Sequence, residues 1–81
     1  MKAELIQGQQ YEGTFKLSGL QLLGSNNDVA IKLIELGFSD VSVNGNGSYR
    51  FARGVWKRST QVIDLPEQVK EFKKAKAIKS L

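Results

Sequence analysis

Side chains able to do chemistry are few in this chain. It contains no His and no Cys, which removes imidazole- and thiolate-based nucleophilic catalysis and the common zinc, haem and iron–sulfur ligand sets. What remains with both charge and reach is gathered in Tyr49-Arg50-Phe51-Ala52-Arg53-Gly54-Val55-Trp56-Lys57-Arg58. That stretch holds the only Trp and four of the 12 Lys and Arg residues. Aromatic rings beside cations serve two kinds of binding. They anchor protein interfaces, where Trp and Arg are favoured, and they hold nucleic acid through phosphate contacts. The candidate binding residues are therefore Lys16, Arg50, Trp56, Lys57 and Arg58, with Lys70, Lys73 and Lys74 as a second basic patch.

The acids point away from catalysis. Asp28 and Asp64 stand where helix caps belong, and Glu35, Glu67 and Glu71 fall on wet helix faces. No carboxylate pair is expected in a cleft. No glycine-rich phosphate loop is present either, because residues 44–47 join two strands instead of opening a helix. The expectation is a protein that is not an enzyme and needs no metal or cofactor.

A chain of 81 residues supports one domain with one small core. Its 41% hydrophobic and 25% charged content is that of a folded protein. The net charge of +4 is uneven: residues 1–49 carry three Lys against five acids, residues 50–81 nine Lys and Arg against three acids. One end of the molecule should therefore attract anions. No apolar run is long enough for a membrane span, and the first residues lack the apolar core of a signal peptide. A cytoplasmic protein is expected, and a phage- or plasmid-type accessory protein fits.

Residues 3–6 read as a short edge strand or a loose end. Tyr11, Phe15 and Leu17 alternate with Glu12, Thr14 and Lys16, the period of a half-buried strand. Gly13 lies on the apolar side, leaving room for a large ring nearby. Leu20, Leu22 and Leu23 sit in a glycine-bounded loop expected to close one end of the core. Ser25 and Asp28 form a capping box for a helix over residues 25–36, which Gly37 ends. Val41 and Val43 mark the next strand. Asn44-Gly45-Asn46-Gly47 is a hairpin signal, and the 49–58 strand follows. Residues 60–63 are either a further strand or a continuation of that one. Asp64, Pro66 and Glu67 then signal a second helix, with Val69 and Phe72 inward, and residues 75–81 form a frayed Lys-rich tail.

The expected fold is α+β: a two-layer sandwich of order β-α-β-β-(β)-α, its small, mostly antiparallel sheet covered on one face by two helices. In the 49–58 strand, Tyr49, Phe51 and Val55 are assigned to the core, and Arg50 to the open face with Lys16. Arg53 breaks that parity, and a bulge at Arg53-Gly54 would restore it by moving Trp56 into the core. Whether Trp56 is buried or exposed among Lys16, Arg50, Lys57 and Arg58 stays open.

Tyr49 and Phe51, two apart among basic residues, resemble the stacking strand of RNA-recognition folds. On that alternative Arg50 and Ala52 would line the core, and a buried unpaired Arg is costly; the core assignment of the rings is preferred. Leu36-Gly37-Phe38, Val41-Ser42-Val43 and Gly47-Ser48-Tyr49-Arg50-Phe51 resemble SPOR-type peptidoglycan-binding domains, although the N-terminal strand lacks that family's pattern. Three functions follow as expectations. The first is a binding module that docks a protein on the 49–58 face. The second is a nucleic-acid-binding domain using Arg50, Lys57, Arg58 and a Lys-rich C-terminal helix. The third, implied by the resemblance alone, is a cell-wall-binding domain.

Overall fold

A computed structural model of the protein describes residues 1–20 and 24–75. Its strands are β1 (Lys2–Leu5), β2 (Gln10–Lys16), β3 (Phe38–Asn44), β4 (Tyr49–Trp56), β5 (Gln61–Asp64) and β6 (Val69–Lys74), and its one described helix is α1 (Asn26–Leu36). The main sheet runs β3-β4-β2-β6, with every neighbouring pair antiparallel. β2 and β3 are thus parallel with β4 between them, joined by the α1 crossover. β4 and β6 are likewise parallel around β2. This is the connectivity of a split βαβ sheet, with β5 in the second crossover where such a sheet carries a helix. β5 pairs antiparallel with β1 as a separate two-stranded ribbon.

Local signals account for α1. Asp28 N–H donates to Ser25 Oγ at 3.1 Å, and Ser25 N–H donates to Asp28 Oδ2 at 3.0 Å. The capping box thereby satisfies two donors at the helix entry. Gly37 ends the helix at φ 128°, a conformation that a Cβ would strain. Its N–H donates to the carbonyls of Leu33 and Ile34. Val29 and Leu33 are buried, whereas Ile31 and Ile34 face solvent.

One core joins helix, sheet and ribbon. Val29 and Leu33 from α1, Leu5 from β1, Tyr11 and Phe15 from β2, Phe38 from β3 and Trp56 from β4 belong to a single buried cluster, with Leu65 and Val69 beside them. Tyr11 also secures the ribbon: its hydroxyl accepts a 2.8 Å hydrogen bond from Ile6 N–H. Gly13 admits a neighbouring ring, as its place in the sequence suggests. A Cβ there would lie 3.4 Å from Phe72 Cδ1 and 3.0 Å from the Glu71 carbonyl oxygen, and the Phe72 ring stacks on Tyr11 at 5.0 Å.

The second helix expected from Asp64 onward is not formed. Asp64 ends β5, Val69 N–H donates to Pro66 O across a turn, and residues 69–74 pair with β2. A bulge accounts for the misleading spacing. Phe15 is opposite Val69 but Thr14 is opposite Glu71, so Lys70 is an extra residue in β6. That insertion brings Val69 and Phe72, three apart, to the same sheet face, imitating helical spacing. The order is therefore β-β-α-β-β-β-β; residues 60–63 contribute a separate strand, β5, and residues 2–5 are paired strand. Leu20 is exposed and does not close the core. Leu22, Leu23 and the proposed frayed tail over residues 76–81 lie outside the described residues. Ala75, placed in that tail by the sequence, is buried, and its N–H donates to Gln10 O.

Candidate functional site

β4 is a central strand, and its phase decides what the open sheet face carries. The phase is opposite to the sequence expectation. Arg50, Ala52, Gly54 and Trp56 point into the core, while Tyr49, Phe51, Arg53 and Val55 point out. Trp56 is 1% exposed and Arg50 5%, against 51% for Tyr49 and 54% for Phe51. No bulge at Arg53-Gly54 is involved, since β4 pairs with β2 in unbroken register from Val55 to Tyr49. The irregularity lies in β3, between Ser39 and Ser42, where Asp40 adopts φ 52°.

Volume explains the inversion. Tyr11, Phe15, Phe38 and Phe72 already fill the inner face, so the strand crossing them must present small residues. Ala52 lies opposite Gly13, and Gly54 opposite Tyr11. A Cβ on Gly54 would come within 3.3 Å of both Phe38 and Val41. The remaining void is about 20 Å³, water-sized at most. Trp56 fills the end of the row, its ring edge-on to Phe38 and its Nε1–H donating to Ser59 O at 2.9 Å.

Arg50 tolerates burial because it is paired. Its Nη1 donates to Asn26 Oδ1 at 2.9 Å and its Nε to Gly47 O at 3.1 Å. Asn26 also donates through Nδ2 to Gly45 O at 2.8 Å, which ties the helix entry to the β3–β4 hairpin. Arg50 and Trp56 are therefore removed from the candidate binding set.

The other expected residues are dispersed. Lys57 is exposed just after β4. Arg58 leans over the end of α1, its Nη2 donating to Glu35 O at 3.3 Å, and its side chain occupies the space a Cβ on Gly37 would need. Lys70, Lys73 and Lys74 lie on the edge strand β6 and not on a helix. Of the expected set, only Lys16 and Lys73 share the open face.

On that face Tyr49 lies opposite Lys16, Phe51 opposite Thr14 on one side and Asn44 on the other, and Arg53 opposite Glu12 and Ser42. Lys16 Nζ stands 6.0 Å from the Tyr49 ring centroid, within cation–π reach. Glu12 lies 3.7 Å from Arg53 Nε and 3.4 Å from Lys73 Nζ. Arg53 Nε is buried and makes no hydrogen bond among the described residues, so charge alone holds it beside Glu12. A depression of about 300 Å³ runs beside Phe51, lined in part by Thr14, Asn44, Arg53, Glu71 and Lys73. The residues this face presents are Tyr49, Phe51 and Arg53. Reading the sequence weighed the first two as an outward pair and then assigned them to the core, and it left Arg53 out of the binding set. The signal was there in Ala52 and Gly54, small residues that suit a crowded inner face better than an open one.

Among the described residues no three acidic side chains gather as a metal-binding set, and no helix is long and apolar enough to cross a membrane. The fold and face define a small split βαβ sheet with an aromatic, mixed-charge open side. Compared with protein-family models, curated proteins and solved structures, the chain matches none.

Proposed function

We propose that the protein is a small, non-enzymatic binding module whose partner docks on the open sheet face around Tyr49 and Phe51. The observation that carries this is two aromatic rings, each about half exposed, side by side on a central strand. Burying an aromatic side chain contributes about 1.5–3 kcal/mol. A small domain that leaves two such rings wet gives up stability that a partner can recover on docking. Lys16, Arg53 and Lys73 around the rings supply direction and charge.

The test places a photo-crosslinking phenylalanine analogue at position 51 of the full chain in extract of the source cells. A second variant carries it at Ile34, on the solvent side of α1. Adducts with a macromolecule are expected from position 51 and not from position 34. Absence of adducts at 51, or the same adducts at both, would overturn the proposal.

A further inference from the structure

We infer that the ligand of this face is single-stranded nucleic acid, two successive bases stacking on Tyr49 and Phe51. The inference rests on the docking face proposed above and names its occupant. The sequence favoured a protein partner because the net charge of +4 is modest and the Lys residues of the expected last helix form no single stripe. That segment is strand β6, and with Trp56 and Arg50 inside the core the exposed residues make a different pattern.

Along β4 the outward positions read Tyr49, Phe51, Arg53, with Lys16 opposite the first ring. The order is ring, ring, cation, with Lys16 beside the first ring. Residues two apart on a strand are separated by about 6.8 Å, a step that adjacent nucleotides of an extended single strand can match. Ring faces accept any base, whereas cations beside the rings hold the phosphates. Lys16 has no carboxylate within ion-pair distance among the described residues. Beyond Phe51, Glu12 lies between Arg53 and Lys73, and Glu71 lines the same depression. Those two cations are largely balanced there, and Lys16 is the unbalanced charge of the face.

Hydrogen-bonding groups complete the match. Thr14 and Asn44 flank Phe51 from the two neighbouring strands, one offering a hydroxyl and the other a carboxamide with both donor and acceptor. A base lying on Phe51 would meet both with its edge, beside a depression large enough to receive it. A duplex cannot use this arrangement, because its bases are already stacked and their faces covered.

The experiment titrates the full chain against short fluorescein-labelled DNA and RNA single strands of T or U and of A, and against a duplex of equal length, at low and at physiological salt. Single strands should bind, more weakly as salt rises, and the duplex should bind less well. Tyr49→Ala and Phe51→Ala should each weaken binding roughly tenfold, the scale of one stacked base. Lys16→Glu should weaken it and flatten the salt dependence, while Lys32→Glu, exposed on α1 behind the sheet, should weaken it less than Lys16→Glu does. Equal thermal midpoints for wild type and variants would show that the fold is intact. No binding at low salt, equal binding of the duplex, or indifference to both ring substitutions would overturn the inference. If adducts at position 51 form with protein or glycan while no nucleic acid binds, the docking face stands and this assignment of its ligand falls.

Discussion

Arg50 and Asn26 form a buried link, guanidinium Nη1 to carboxamide Oδ1 at 2.9 Å, between the middle strand of the sheet and the first residue of the helix that crosses over it. The strand can turn Tyr49 and Phe51 outward only if Arg50 goes inward, where Asn26 Oδ1 and Gly47 O both accept from its guanidinium. Asn26→Ala should therefore destabilise the fold by about 1–3 kcal/mol, because it removes the hydrogen bonds to Arg50 and to Gly45 O. Chemical denaturation should show a lower midpoint with an unchanged slope. A midpoint equal to wild type would mean that the link carries no stability.

Gly13 should be among the least replaceable residues. Its Cβ position faces the Glu71 carbonyl at 3.0 Å and the Phe72 ring at 3.4 Å, and the carbonyl belongs to a paired strand that cannot step aside. Gly13→Val should cost about 1–3 kcal/mol through overpacking and part β2 from β6. A thermal melt compared with Thr14→Val, the neighbouring change on the open side, would separate steric cost from strand preference.

The only Trp of the chain is a clean reporter, since Trp56 is 1% exposed. Its emission should be blue-shifted and poorly quenched by iodide in the folded protein, then shift red as the core opens. Red-shifted, freely quenched emission from native protein would contradict the phase of β4, and with it the exposure of Tyr49 and Phe51.

Glu12 holds Arg53 and Lys73 on a partly solvated surface. Glu12→Gln should change stability by less than about 1 kcal/mol while releasing both cations. Nucleic-acid affinity at low salt should then rise, and the gain should vanish as salt screens the face. An affinity that falls would show that the carboxylate itself contacts the ligand.

What could be read from the sequence was what local chemistry determines. Ser25 and Asp28 specify the start of α1 and Gly37 its end, each through contacts within a few residues. The alternation of Tyr11, Phe15 and Leu17 gives β2 its inner face. The Asn-Gly repeats mark the hairpin, where Gly45 and Gly47 take positive φ. Two features depend on distant partners and were misread. The phase of β4 follows from the volume that Tyr11, Phe38 and Phe72 bring to Ala52 and Gly54, and from Asn26 reaching Arg50. The strand character of residues 69–74 follows from the open edge of β2, while the extra Lys70 spaces Val69 and Phe72 as a helix would. The error in the site followed from the first of these: counting oily residues per face chose Tyr49 and Phe51 for the core, although their neighbours left no room there.

The β1–β5 ribbon bears on how the molecule assembles. Lys2 meets Asp64 and Leu5 meets Gln61, so this pairing joins stretches that most of the chain separates. Closing so long a loop earns contacts late. The helix and the hairpin, built from near neighbours, can form first, and the ribbon then seals Leu5 over an already gathered interior. Losing the ribbon would uncover Leu5, which is fully buried, on the side of the core away from Tyr49 and Phe51.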